Sequence, residues 1–226
     1  MRKSCGAVIV AAGSAQRMSG IDKMLTPLWG QPVLLRTVRA ISQSERIDKI
    51  YIVTREDLVQ QVKDLCSEEK KVVQVLQGGA SRAESVLRGL SATEEELVAI
   101  HDGARPLVSV SVIEEAILAA EEMGAAAPAI PVHDTIKVAQ DGIIVQTPDR
   151  STLFAVQTPQ VFDRALIAEA LQNAIAKDLT LTDDCSAAEL AGYTVRLTAG
   201  SEENLKITVP TDLILAEAIL TRREQQ

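Results

Sequence analysis

Apolar residues along the chain follow two alternating patterns, short continuous runs and longer segments with an apolar residue at every third or fourth position. The continuous runs are typical of strands buried on both faces: Gly6–Ala12, Lys49–Thr54, Lys71–Leu76, Leu97–Gly103 and Ala125–Val132. The segments between them have the period of amphipathic helices: Pro32–Ile41, Glu56–Leu65, Ser81–Leu90 and about 109–123. This alternation predicts an α/β fold, a mostly parallel sheet with helices on both faces. Such sheets bind ligands beyond the carboxyl ends of their strands.

The alternation stops between His133 and Val156. Short β-type runs flank Asp141-Gly142, a strong signal for a hairpin, and no helical segment connects them. We therefore predict a β-arm at about 133–156 that protrudes from the sheet toward a partner chain. The α/β pattern then resumes and ends in a helix at Val209–Leu220. A length of 226 residues fits one domain, so we expect residues 1–226 to form a single domain with the arm serving dimerisation.

The composition narrows the class of protein. Hydrophobic residues make up 46% of the chain, which argues against disorder. Aromatic residues make up only 2% and the formal net charge is -8, and both argue against a nucleic-acid partner. The cysteines Cys5, Cys66 and Cys185 are odd in number and have no C-x-x-C spacing, which is typical of a reducing cytoplasm without disulfides or a zinc site. No apolar run approaches the length of a membrane span, so we expect a cytoplasmic protein with no membrane partner.

The first strand leads into the small residues Ala11–Gly13, and two cations, Arg17 and Lys23, follow. Small residues let a ligand approach the backbone, and backbone N–H groups can hold phosphate oxygens. The segment does not match the P-loop, because Lys23 is neither preceded by Gly nor followed by Ser or Thr. It does not match the dinucleotide fingerprint either, because Ala15 stands two residues after Gly13. A phosphate-binding turn and an ordinary tight turn with solvated charges both remain open from this segment alone.

Two further segments place polar groups after strands. The stretch HDGARP puts Asp102 and Arg105 at a strand end, where a carboxylate can hold Mg²⁺; a helix cap and a solvated arginine are the alternative. The stretch QGGASRAES follows another strand, where Gly78 and Gly79 allow a flat base to lie against the backbone. Ser85, about one turn later, can offer a hydroxyl to that base, or it is an ordinary helical serine.

Histidine chemistry is not predicted. His101 and His133 lie far apart, and the chain has neither G-x-S-x-G nor H-E-x-x-H. A nucleophile triad or a histidine metal site is therefore a weak hypothesis, and His101 is expected to be a strand-end residue.

Several motifs together resemble one family. AAGSAQRM followed by Lys23 resembles the A-A-G-x-G-x-R-M-x(n)-K signature of sugar-phosphate nucleotidyltransferases. The segments GGASRAESVLRGL, HDGARP, TPQVF, TDDCSAAE and NLKIT follow in the order of the 2-C-methyl-D-erythritol 4-phosphate cytidylyltransferase family, of the methylerythritol phosphate route to isoprenoids. The resemblance covers essentially the whole chain. Two positions depart from the family pattern, Ala15 in place of Gly and Ala80 where many members have Asp, and Ala80 leaves one nucleotide contact open.

The resemblance implies a Rossmann-like nucleotidyltransferase fold and transfer of CMP from CTP to methylerythritol phosphate, with release of pyrophosphate. It implies a cofactor, Mg²⁺ or another divalent cation held by Asp102, and a homodimer that exchanges arms. The catalytic residues implied are Arg17, Lys23 and Lys206. Those implied for the nucleotide are Ala11, Ala12, Gly13, Gly79, Ala80, Ser85, Asp102, Gly103 and Arg105. Those implied for the acceptor are Thr135, Arg150, Thr182, Asp102 and Arg105, with Thr135 and Arg150 reaching the neighbouring subunit's site.

Three alternatives stay open at this stage. A ribitol-5-phosphate cytidylyltransferase would share the chemistry and differ in the acceptor contacts of the arm and of Thr182. A catalytically silent nucleotide-binding regulator is disfavoured because Arg17, Lys23, Asp102 and Lys206 are all retained. An NAD-type oxidoreductase lacks its glycine fingerprint.

Overall fold

The computed structural model describes residues 2–13 and 23–225, whose strands and helices alternate along the chain. The strands are β1 (Cys5–Ala11), β2 (Pro27–Leu28), β3 (Gln31–Pro32), β4 (Lys49–Thr54), β5 (Val72–Gln77), β6 (Leu97–Asp102), β7 (Ala125–Pro131), β8 (Val138–Gln140), β9 (Ile143–Gln146), β10 (Phe154–Val156), β11 (Gln160–Asp163) and β12 (Arg196–Ala199). The α-helices are α1 (Val33–Ser42), α2 (Val59–Leu65), α3 (Arg82–Ala92), α4 (Val110–Met123), α5 (Arg164–Ala176), α6 (Asp184–Leu190) and α7 (Pro210–Glu224). Within these ranges no helix combines the length and the apolar character needed to cross a membrane.

The central sheet has the strand order β10-β7-β11-β6-β1-β4-β5, with β12 also paired to β7. β1 runs parallel to β4 and β6, β4 parallel to β5, and β12 parallel to β7. Only β11 and β10 pair antiparallel to their neighbours in this sheet, as far as the described residues extend. The prediction of a mostly parallel α/β sheet is confirmed.

Helices cover both faces of the sheet, as the continuous apolar runs predict. Side chains of β1 alternate between two cores: Ala7 and Ile9 pack with α1, α2 and α4, and Val8 and Val10 pack with α3, α5 and α6. All four β1 side chains are less than a tenth exposed. A strand with water on neither side needs apolar residues at every position, and this is why its sequence does not alternate.

The antiparallel strand β11 was not predicted. It is only Gln160–Asp163, and its apolar pair Val161 and Phe162 is too short to distinguish from a loop. Both side chains are nevertheless fully buried, because β11 pairs with β6 on one side and β7 on the other. Its insertion brings Thr158, two residues before the strand, against the end of β6.

A hairpin formed by β8 and β9 turns at Asp141-Gly142, as predicted. Both turn residues have positive φ, 50° and 80°, which is the requirement of a two-residue turn that matches strand twist. The apolar side chains of the hairpin face solvent, and Ile143 is 70% exposed. The role of this segment as a dimerisation arm stays a prediction.

A second tight turn joins β2 and β3. Trp29 and Gly30 both have positive φ, 54° and 75°, and the Arg36 side chain donates to the carbonyls of Leu28 and Trp29. A bulky residue rarely adopts a positive φ. The hydrogen bonds from Arg36 hold the turn in this uncommon conformation. The backbone N–H of Leu34 donates to the carbonyl of Met24, so the segment after Lys23 is attached to α1.

Candidate active site

A cavity of about 330 Å³ opens where β1, β5 and β6 end. Its described lining residues are Val10, Ala12, Gly13, Lys23, Met24, Gly79, Ala80, Ser81, Arg82, Ser85, Asp102, Ala104 and Lys206. Among them are three cations, Lys23, Arg82 and Lys206, and one carboxylate, Asp102. In a chain whose net charge is -8, this is a local excess of positive charge. The cavity therefore suits an anionic ligand.

Asp102 lies beside three cations, Lys206, Arg105 and Arg82. Its carboxylate is 2.9 Å from Lys206 Nζ, 3.5 Å from Arg105 Nε and 3.7 Å from an Arg82 guanidinium nitrogen. Burial acts to raise the pKa of Asp102, but Lys206, Arg82 and Arg105 outweigh it and lower the pKa to about 2. The carboxylate is therefore ionised at neutral pH and available to a cation.

The backbone around Asp102 is held by a buried histidine. The N–H of Asp102 donates to Thr158 Oγ1 (3.1 Å), and that hydroxyl donates to His101 Nδ1 (3.0 Å). The opposite ring nitrogen, Nε2, lies 3.1 Å from the carbonyl of Arg105, which can only accept, so Nε2 carries the proton. Burial lowers the pKa of His101 to about 4, so the ring is neutral and this tautomer persists. His101 thus fixes both ends of the 102–105 turn.

The C-terminal part of the chain reaches the cavity through the same turn. Arg105 donates to the carbonyl of Asn204 (2.6 Å), and Asn204 Nδ2 donates to the carbonyl of Thr158 (2.9 Å). The N–H of Ile207 donates to the carbonyl of Ala104 (2.8 Å). These bonds position Lys206 beside Asp102, although the two residues are distant in sequence.

The glycine pair after β5 is required by close packing. A Cβ atom on Gly78 would lie 2.5 Å from the Cβ of Ala12, and one on Gly79 would lie 2.3 Å from the Cβ of Glu84. Ser85 Oγ accepts the N–H of Gly79 (3.0 Å) and donates its proton to the carbonyl of Ser81 (2.8 Å). The hydroxyl therefore faces the cavity with a lone pair, and it can only accept a hydrogen bond there.

The structure brings many of the predicted site residues to this one cavity. They are Ala12, Gly13, Lys23, Gly79, Ala80, Ser85, Asp102 and Lys206. Ala11 and Gly103 lie behind these residues, and both are buried. The N–H of Gly103 donates to the carbonyl of Val10. Arg105 is directed to Asp102 and Asn204. Arg17 lies outside the described residues, and so does Ala15, which departs from the family pattern.

Of the predicted acceptor residues, Asp102 lines the central cavity, Arg105 pairs with Asp102, and the other three lie elsewhere. Thr182 lines a neighbouring cavity of about 270 Å³ that shares Ser81 and Arg82 with the first. Thr135 and Arg150 belong to the 133–156 segment and are not among the described residues that line the central cavity. Arg150 is exposed and donates to the carbonyl of His133 in its own chain.

Sequence reasoning missed Arg82, which lines both cavities. It is the first residue of α3, where the helix dipole disfavours a positive charge. A cation at that position is stabilised by a nearby carboxylate. An arginine at the start of a predicted helix is therefore the sequence signal that could have identified Arg82. Thr158 and Asn204 were also missed, because nothing local in their sequence shows that they hold the Asp102 turn.

The donor set allows only one kind of metal site. Of the described side chains, no three or more of the His, Cys, Asp or Glu type form a metal-binding cluster. Magnesium commonly binds through one or two carboxylates, with water and substrate phosphates as its other ligands. Asp102 fits a metal ion that arrives with a phosphate ligand, and the described residues do not fit a metal held by protein alone.

The chain is similar to known proteins over nearly its whole length. The family profile of 2-C-methyl-D-erythritol 4-phosphate cytidylyltransferase matches residues 5–222. A curated protein of that name from Symbiobacterium thermophilum is 44% identical over 223 residues, with 97% of this chain and 94% of that protein covered. Another from Alkaliphilus oremlandii is 42% identical over 225 residues, with 96% and 95% covered.

Solved structures are also similar. The 4-diphosphocytidyl-2C-methyl-D-erythritol synthase of Anaerococcus prevotii superimposes with a TM-score of 0.88 at 31% identity, covering 98% of this chain and all (100%) of that one. The 2-C-methyl-D-erythritol 4-phosphate cytidylyltransferase of Thermus thermophilus has a TM-score of 0.80 at 33% identity, covering 95% and 98%. The similarity thus extends over the full described fold.

Proposed function

Because the chain belongs to the 2-C-methyl-D-erythritol 4-phosphate cytidylyltransferase family, it transfers CMP from CTP to 2-C-methyl-D-erythritol 4-phosphate, and we propose that it does so in the central cavity, with a divalent cation and as a homodimer. The observation that carries the assignment of the cavity is its charge. Lys23, Arg82 and Lys206 line it together with a single ionised carboxylate, Asp102, at the strand ends. A triphosphate and a phosphate acceptor bring several negative charges to one point, and clustered cations stabilise them.

In the proposed mechanism a phosphate oxygen of the acceptor attacks the α-phosphorus of CTP. A new P–O bond forms, the bond between the α-phosphorus and the bridging oxygen breaks, and pyrophosphate leaves with that electron pair. Lys23 and Lys206 neutralise charge around the α-phosphorus, and Arg17 is predicted to do the same. No side-chain nucleophile is needed, because positioning and charge neutralisation account for most catalysis of this type.

Asp102 is the residue that would hold the divalent cation. Such an ion supplies charge neutralisation at the phosphate oxygens when it is bound. Lys206 Nζ is 2.9 Å from the same carboxylate. Asp102 therefore also positions Lys206, and a variant at this position affects both roles.

Substitution Asp102→Asn is expected to raise the Mg²⁺ concentration needed for half-maximal activity by about 10- to 100-fold, because an amide oxygen is a weaker ligand than a carboxylate. Titration of activity with Mg²⁺ measures this shift. Asp57→Asn is the matched control, since Asp57 is exposed and pairs only with Arg55 among the described ion pairs. Activity of the wild-type chain that survives complete chelation of divalent ions would remove the metal role of Asp102.

The nucleotide preference tests the cavity itself. The Ser85 hydroxyl can accept but not donate toward the cavity, so it favours the amino group of cytosine over the carbonyl of uracil. We expect kcat/KM for CTP to exceed that for UTP by about 10- to 100-fold, with ATP and GTP poorer still. Pyrophosphate release measured with each nucleotide provides the comparison.

The variant Ser85→Ala should reduce the ratio of kcat/KM between CTP and UTP. Ser91→Ala is its control on the same helix, because Ser91 is exposed and bonds only to the carbonyl of Leu87 among the described contacts. Equal turnover of CTP and ATP by the wild-type chain would contradict the placement of the base beside Ser85. The same assay with ribitol 5-phosphate as acceptor measures acceptor choice.

The proposed homodimer exchanges arms through the 133–156 segment. An isolated two-stranded hairpin is barely stable in water, and here Ile143, Ile144 and Val145 are more than half exposed. A two-fold partner would cover these side chains and would make the exchange reciprocal. The proposed location is the cytoplasm, because Cys5, Cys66 and Cys185 are all buried and unpaired, as in a reducing compartment.

A further inference from the structure

Arg82 lies between two buried carboxylates from different parts of the chain. One of its terminal guanidinium nitrogens is 2.8 Å from Asp184 Oδ2 and 3.7 Å from Asp102 Oδ1. Asp184 is 1% exposed and Asp102 is 8% exposed. Burial acts to lower the pKa of Arg82, but the two carboxylates outweigh it and raise the pKa above its ordinary value. A single cation thus joins the nucleotide cavity to the neighbouring one.

Asp184 depends on this contact. In the described part of the chain, neither of its carboxylate oxygens has a hydrogen-bond donor, and the Arg82 contact is an ion pair without hydrogen-bond geometry. A buried carboxylate without a donor is costly unless a cation faces it. The ion pair with Arg82 thus offsets the cost of burying Asp184.

Asp184 also belongs to the segment that carries Thr182, the predicted acceptor contact. Gln160 of β11 holds this segment from the other side: its Oε1 accepts the N–H groups of Asp184 and Cys185, and its Nε2 donates to Asp183. The start of α6 is thus anchored by Gln160 and by Arg82. Loss of Arg82 would free one side of it.

We propose that Arg82 is a positioning residue for cytidylyl transfer, which bridges Asp102 and Asp184 and thereby aligns the metal-binding carboxylate with the acceptor segment at Thr182. This inference rests on the proposed function of the central cavity. It predicts that substitution of Arg82 changes the kinetics of both substrates, although no sequence motif assigns Arg82 to either of them. It also predicts that Arg82 and Asp184 act as one unit.

The test is a double-substitution cycle with steady-state kinetics for both substrates. Arg82→Gln should lower kcat by about 10- to 100-fold and raise the KM for methylerythritol phosphate, because outer-shell partners of ligating groups have effects of this size. Arg82→Lys should recover part of kcat, since one nitrogen contacts both carboxylates and a point charge can replace it in part. Adding Asp184→Asn to Arg82→Gln should change kcat by less than about twofold, as expected for coupled residues.

The control is Arg46→Gln, which breaks an ion pair between Arg46, shortly before β4, and Glu121 of α4 (3.3 Å), neither of which lines the two cavities. Its kinetics should equal those of the wild type. Circular dichroism of every variant checks folding. If Arg82→Gln does not fold, the double variant Arg82→Gln/Asp184→Asn, which leaves no unpaired carboxylate at position 184, decides the question through its kcat.

Three outcomes bear on three separate claims. A Lys206→Ala chain with kcat within threefold of an active wild type would contradict the proposed use of the cavity, whatever Arg82 does. An active wild type with folded Arg82 variants of unchanged kcat and KM would overturn the positioning role alone. Effects of Arg82→Gln and Asp184→Asn that simply multiply would overturn the claim that they act as a unit.

Discussion

The variant Lys206→Ala is expected to lower kcat for CMP transfer by about 100- to 1,000-fold while the KM for CTP changes little. Lys206 lies 2.9 Å from Asp102, at the point where the phosphate oxygens of both substrates would meet. Negative charge is most concentrated there in the transition state, so removal of a preorganised cation lowers kcat more than ground-state binding.

Steady-state kinetics with saturating acceptor measures this change. Lys63→Ala is the matched control, because Lys63 is an exposed lysine of α2, and its kcat should equal that of the wild type. A Lys206→Ala enzyme with kcat within threefold of wild type would place this lysine outside the chemistry.

Lys206→Ala and Arg150→Ala chains refolded together in equal amounts are expected to regain about a quarter of wild-type activity, although each variant alone is nearly inactive. If Arg150 completes the partner's site, a mixed dimer contains one site with both groups intact and one with neither. Equal amounts of two chains that pair at random form half mixed dimers, so a quarter of all sites are intact. The experiment unfolds and refolds the two variants together and measures CMP transfer.

The control mixes Lys206→Ala with Lys23→Ala. Both lysines line the same cavity of one chain, so every site in a mixed dimer lacks one of them and no activity should return. Proven mixed dimers of the Lys206→Ala and Arg150→Ala chains that stay inactive would show that Arg150 serves its own chain, where it now donates to His133.

Much of the fold is predictable because its strands are buried on both faces. The continuous apolar runs locate β1, β4 and β6 within about a residue of their observed bounds. The strand β11 has only two apolar residues, so its place between β6 and β7 depends on tertiary packing that no local pattern records. The hairpin at Asp141-Gly142 is predictable because its turn chemistry is local.

The candidate site also has residues that the sequence predicts and residues that it does not. Asp102 ends a strand, so its place at the carboxyl end of the sheet follows from its position in the sequence. The arginine that bridges Asp102 and Asp184 could not be predicted, because its partners come from segments far apart in sequence. The hydrogen bonds from His101 and Thr158 were missed for the same reason, since a buried polar network is visible only once its members are packed together.

The turn between β2 and β3 has a spectroscopic consequence. Trp29 is the only tryptophan of the chain, and it is 38% exposed at a turn that closely follows Lys23. With selective excitation of indole, all emission comes from this one side chain. Its fluorescence therefore reports on the solvation of a single site, without an attached label, and any ligand that moves the segment from Lys23 to the turn changes the emission directly.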